Sequence, residues 1–148
     1  MKVQKVVPIL NVSDVDASIS WFESLGWVRS FCWNQGGPIP HGSVSNEHGI
    51  ADFGGVRSGD CEIFLCRGAQ GSRPGHIPAE VCTDETEGVW LSWALSSPAE
   101  VDSLYALASR LGYVVPMIPR DEPWGAREFH LRHPDGHTMR ISAGLDDR

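Results

Sequence analysis

Three side chains near the end of the chain, Glu128, His130 and Arg140, are of the types that bind and orient a polar ligand. The carboxylate and the imidazole are also metal-ligand types. Their spacing brings them together. The stretch 123–142 reads PWGAREFHLRHPDGHTMRIS. Residues 126–132 alternate, with Phe129 and Leu131 on one face and Glu128 and His130 on the other. His133-Pro134-Asp135-Gly136 has the chemistry of a type I turn, with proline at the second position and glycine at the fourth. Residues 137–142 then alternate back, with Met139 and Ile141 apolar and Thr138 and Arg140 polar. A β-hairpin follows. One face must pack on apolar material, and the other is either wet surface or the lining of a pocket.

Other residues capable of chemistry are scattered. Glu62 and Cys66 fall on one strand, and His41, Glu47 and His48 in one loop. Only Glu128 and His130 share a strand face at a spacing of two, which is fewer than the three protein ligands of an ordinary catalytic zinc. The plain reading of His130 is an imidazole hydrogen-bonded to Glu128 or to a neighbouring strand. His133 and His137 flank a turn and are expected to be solvated. Cys32, Cys61, Cys66 and Cys82 form no C-x-x-C pair and read as free thiols. No Ser-His-Asp or Cys-His signature and no phosphate loop is present. The glycines at 36–37 and 54–55 read as turn glycines.

The chain has 148 residues, enough for one domain with a real core. Its hydrophobic and charged fractions, 41% and 21%, are those of an ordinary soluble globule. No run approaches the ~20 apolar residues of a membrane span, and the N-terminus lacks a secretory signal, so cytoplasm is the expected compartment. A formal charge of −7 argues against nucleic acid or an anionic membrane as partner, and it would favour a cationic ligand if the negative charge is focused in a cleft.

Elements that could position these residues can be read in order. Residues 2–12 predict a strand, with Pro8 an irregularity. Ser13-Asp14 signals a helix N-cap, and Val15, Ile19, Phe22 and Leu25 form an apolar stripe ending at Gly26. Strands are predicted at 27–33, 50–56 and 60–66, with a polar loop over 34–49. Residues 67–88 are rich in turn formers and read as a connector. A strand at 89–95 precedes a helix capped by Ser97, with Pro98 at its first position and Glu100 completing an S-x-x-E box. Gly112 ends that helix, and a strand at 113–118 leads to the hairpin.

The order β-α-β-β-β thus occurs twice. Leu25-Gly26-Trp27-Val28 and Leu111-Gly112-Tyr113-Val114 mark equivalent points, 86 positions apart. The expected fold is α+β: a single domain, 1–148, of two tandem βαβββ modules, 1–67 and 88–148, joined by a connector, 68–87. Each helix covers one face of its sheet, so the opposite faces of a curled mixed sheet should line a concave site. By alternation, Val6, Leu10, Val12, Ile63, Leu65, Leu91, Trp93 and Leu95 go under the helices. Val7, Ile9, Asn11, Glu62, Phe64, Cys66, Trp90, Ser92, Ala94, Glu128, His130, Thr138 and Arg140 take the other side. Six tryptophans is a high count. Trp21 and Trp93 suit the core, whereas Trp90 and Trp124 suit stacking on a flat ligand.

The run Pro123-Trp124-Gly125, Arg127-Glu128-Phe129, Leu131, Pro134-Asp135-Gly136 resembles the closing segment of the vicinal oxygen chelate superfamily, the glyoxalase/bleomycin-resistance/dioxygenase proteins. It is closest to the bleomycin-resistance branch. The opening VVPILNVSDVDASISWFESLGW and the central VWLSWALSSPAEVDSLYALASRLGY extend the resemblance over most of the chain. The resemblance implies the duplicated fold, a homodimer, and a small-molecule site. Metal-dependent members hold a divalent cation at positions that fall here on Val7, Trp90 and Arg140. Valine and tryptophan offer no suitable lone pair, and arginine is a permanent cation.

The expectation is therefore a binding protein with no catalytic residues, no metal and no cofactor. Its ligand, an antibiotic or similar flat natural product, would meet Phe31, Phe64, Trp90, Ser92, Trp124, Glu128, His130 and Arg140. The alternative is a metal-dependent isomerase, dioxygenase or thiol transferase with displaced ligands.

Overall fold

The computed structural model describes residues 1–41, 49–68 and 88–145. The chain divides into two compact units, 1–75 and 76–148. The first holds β1 (Ile9–Asn11), α1 (Val15–Ser24), β2 (Val28–Asn34), β3 (Gly37–Pro38), β4 (Phe53–Ser58) and β5 (Cys61–Cys66). The second holds β6 (Trp90–Ala94), α2 (Pro98–Arg110), β7 (Met117–Glu122), β8 (Ala126–Arg132) and β9 (Thr138–Gly144). The first sheet has the order β1-β5-β4-β2-β3 and the second β6-β9-β8-β7. With the two-residue β3 set aside, the two orders are the same. In each sheet the opening strand lies parallel to the last one, and the rest pair antiparallel. The fold is α+β, two modules of β-α-β-β-β order.

The helices start and stop for the same reasons in both units. Asp14 Oδ1 accepts from the Ala17 N–H at 3.0 Å, and Ser97 Oγ from the Glu100 N–H at 3.2 Å, so each N-cap meets one of the free helical donors. The Glu100 carboxylate turns back to the Ser96 N–H, one residue before the cap. At the other end, the Trp27 N–H reaches the Phe22 carbonyl and the Gly26 N–H that of Glu23. The Tyr113 N–H to Ala108 and the Gly112 N–H to Ser109 repeat the arrangement. Both are Schellman closures, which need a residue at positive φ; Gly26 has φ 96° and Gly112 φ 78°. The repeated Leu-Gly-aromatic-Val signal is this closure.

Each helix covers one face of its own sheet. Under α1 lie Leu10, Val56, Ile63 and Leu65, and under α2 lie Phe129, Leu131, Met139 and Ile141, all buried. Burying such a side chain contributes roughly 1.5–3 kcal/mol. Gly54 is part of this packing. A Cβ there would stand 2.9 Å from Val15 Cγ1 and 3.1 Å from Ile19 Cδ1, so glycine lets α1 close on the sheet.

Several expectations need correction. The opening strand covers only Ile9–Asn11, and Val6 is exposed rather than under a helix. The loop after β2 contains a short paired strand, with Trp33 opposite Pro38. The strand predicted at 113–118 is Met117–Glu122, because its register is set by pairing with β8. Gly54 and Gly55 lie inside β4 and are not turn glycines. His133 and His137 are buried rather than solvated. The His133 Nδ1 accepts from the Asp135 N–H at 3.0 Å and the His137 Nδ1 from the Val89 N–H at 3.1 Å, which ties the turn to the start of β6. Most of the predicted connector, with Cys82, and the loop residues Glu47 and His48 lie outside the described residues.

Candidate functional site

The helix-free face of the second sheet carries a row of polar side chains. Residues paired across strands share a face. Ser92 pairs with Arg140 and Arg140 with His130, giving one row across β6, β9 and β8. Ala94, Ser142 and Glu128 form the next row, and Trp90, Thr138 and Arg132 the one before. The structure thus brings together Trp90, Ser92, Glu128, His130 and Arg140.

Glu128 is the centre of the cluster. Its Oε2 lies 2.9 Å from His130 Nε2, and its Oε1 lies 2.7 Å from Arg140 Nη2. Arg140 Nη1 donates to Ser92 Oγ at 3.0 Å and to Ser142 Oγ at 3.3 Å. The side chain of Glu128 is 5% exposed, that of His130 12% and that of Arg140 32%. The carboxylate is therefore the floor and the guanidinium the accessible part. Burial pushes the Glu128 carboxyl up. The hydrogen bond from His130 and the contact and charge of Arg140 outweigh that, and hold it below the usual carboxylate value.

One atom of this cluster stays unmatched among the described residues. With Nε2 donating to Glu128, His130 Nδ1 of the neutral ring is an acceptor, and it is buried with no hydrogen-bond partner among the described residues. Glu128 Oε1 is met by Arg140 Nη2. An unmet buried polar atom costs about 1–3 kcal/mol, which a ligand that donates to His130 Nδ1 would recover. Trp90 meets the His130 ring edge-on, with centroids 5.0 Å apart, and is 45% exposed.

The remaining residues expected at the site are not in these rows of the second sheet. Trp124 sits in the turn between β7 and β8. Trp90 aligns with the Arg132 end of β8 and Trp124 adjoins its Ala126 end, so roughly 20 Å of strand separates them. One small flat ligand on this sheet does not reach both. Phe31 and Phe64 belong to the first unit. There they form a half-buried aromatic triangle with Phe53, with ring centroids 5.2–5.4 Å apart. Gly55 pairs with both Phe31 and Phe64, and a Cβ on it would come within 2.6 Å of Phe31 Cε1. Phe53 escaped the sequence reading. The alternation of Phe53 and Gly55 against Gly54 and Val56 carried its signal.

The metal positions implied by the family resemblance do not fit a cation. Val7 presents an isopropyl group, Trp90 an indole, and Arg140 a guanidinium already paired with Glu128. Among the described residues no three His, Cys, Asp or Glu side chains cluster.

Comparison with known proteins gives the context. No curated protein sequence matches the chain. Solved structures with the same fold include a glyoxalase/bleomycin resistance protein/dioxygenase from Nocardioides, 20% identical over 100% of this chain and 89% of that one, with a TM-score of 0.63. A bleomycin-binding protein complexed with bleomycin is 16% identical over 98% and 100%, with a TM-score of 0.61. A lactoylglutathione lyase from Agrobacterium tumefaciens is 14% identical over 97% and 96%, with a TM-score of 0.64. The model of the Glyoxalase/Bleomycin resistance protein/Dioxygenase superfamily matches residues 3–141, nearly the whole chain, and the protein belongs to that superfamily.

Proposed function

We propose that the protein is a small-molecule binding protein that sequesters a flat ligand, an antibiotic or similar natural product, without chemical turnover. The reading rests on one observation. A buried acceptor atom, His130 Nδ1, lacks a hydrogen-bond partner among the described residues beside an exposed tryptophan, on a face where the family's cation positions hold Trp90 and Arg140. The ligand lies against Trp90, gives a hydrogen bond to this cluster and is oriented by Ser92 and Arg140. The bleomycin-binding protein of the same fold supports the sequestering role. On this reading the two modules act as one domain, and the protein works as a cytoplasmic homodimer, with Phe31 and Phe64 as further ligand contacts beyond the cluster.

Calorimetric titration with a panel of glycopeptide and polyaromatic antibiotics is the test, alongside light scattering for the dimer. Saturable binding of one class with equimolar stoichiometry per chain is expected. A folded protein that binds none of them overturns the reading. Elemental analysis of protein purified without chelator separates the enzymatic alternative. A stoichiometric divalent metal lost in Glu128→Ala favours a metal-dependent enzyme; its absence favours binding alone.

A further inference from the structure

The exposed charge on the polar face of the second sheet is positive, although the chain as a whole carries −7. Arg120 is opposite Glu128 in the β7–β8 register, and Glu122 follows two residues on, so these groups share the face with Arg140. Two ion pairs result, Arg120 with Glu122 and Arg140 with Glu128. In both the carboxylate lies beneath and the guanidinium above. The Glu122 and Glu128 side chains are 6% and 5% exposed, against 61% and 32% for Arg120 and Arg140. A ligand approaching this face meets cations first.

Arg140 also has a donor to offer. Its Nη1 is directed at two serines and its Nη2 at the Glu128 carboxylate, while Nε–H has no hydrogen bond among the described residues. A guanidinium fixed by two serines and a buried carboxylate is pre-organised for a planar anion, and charge-assisted hydrogen bonds are about twice as strong as neutral ones. The negative charge of the rest of the chain matters less, because exposed charges beyond about 8 Å are screened at physiological salt.

We propose that the polar handle of the ligand is an anion, a carboxylate or comparable acidic group seated on Arg140, with the flat part of the ligand against Trp90. The site then discriminates against cationic ligands of the same shape. This deepens the binding role proposed above and rests on it.

Three probes of one ring and three charges test it by calorimetry on the intact protein: indole-3-acetate, indole-3-acetamide and tryptamine. Indole-3-acetate should bind at least about tenfold more tightly than tryptamine, with the amide between them. The preference should vanish in Glu128→Gln/Arg140→Gln, which removes both charges and leaves no buried carboxylate unpaired. Arg140→Lys should keep the sign of the preference, and decides the matter if the double variant does not fold. Equal or tighter binding of tryptamine overturns the proposal and leaves the ligand site standing. A preference that survives in the folded double variant overturns the assignment to Arg140. No binding of any probe overturns the proposal and the ligand site together.

Discussion

The Glu128 carboxylate and the His130 imidazole, two residues apart on β8, meet at 2.9 Å through Oε2 and Nε2. The contact fixes the imidazole tautomer and leaves Nδ1 as an acceptor. Arg140 closes the other side of the carboxylate. The three groups proposed to orient a ligand therefore also hold one another.

That arrangement gives a pH dependence. The folded Glu128 carboxyl titrates below its ordinary value of 4.5. Its contribution to stability is thus present above that value and is lost as pH falls through the lower, folded value. Urea unfolding between pH 7 and pH 3 should show wild type losing stability more steeply at the acid end than Glu128→Gln. Parallel profiles would mean that the ion pair contributes nothing to the folded state.

The two tryptophans expected at the ligand should separate. Trp90 abuts His130, whereas Trp124 lies at the far end of β8. Trp90→Ala should weaken binding of a ligand held by this sheet about tenfold or more, since truncating an aromatic anchor commonly costs 2 kcal/mol or above. Trp124→Ala should change the affinity less than threefold at this site. Both values come from the same calorimetric titration.

The glycines of β4 make a stability prediction. Gly54→Ala drives a methyl group against Val15 and Ile19 of α1, and Gly55→Ala drives one against Phe31. Overpacking of this kind costs about 1–3 kcal/mol. Each variant should unfold at lower urea than wild type, and Gly55→Ala should also perturb the Phe31–Phe53–Phe64 ring contacts seen by NMR.

What the sequence displayed and what it hid divide along the range of the interactions. Both helices, their Asp14 and Ser97 caps and the repeated Leu-Gly closures are local, and they were readable. So was the hairpin through Pro134-Asp135-Gly136, with Glu128, His130 and Arg140 on one face. The extent of β1 and the position of β7 are set by distant partners, Phe64 to Cys66 and Ala126 to His130. A turn glycine and a close-approach glycine look alike in sequence, which misled the reading of Gly54 and Gly55. His133 and His137 were read as solvated because their burial is a tertiary property. Phe53 had no helical or turn signal to single it out.

The most direct measurement is a two-dimensional amide NMR titration of uniformly labelled protein with indole-3-acetate. The account predicts the largest shifts at the amides of Ser92, Glu128, His130 and Arg140 and at the indole N–H of Trp90. Shifts confined to residues outside β6, β8 and β9, or none at saturating probe, would contradict it.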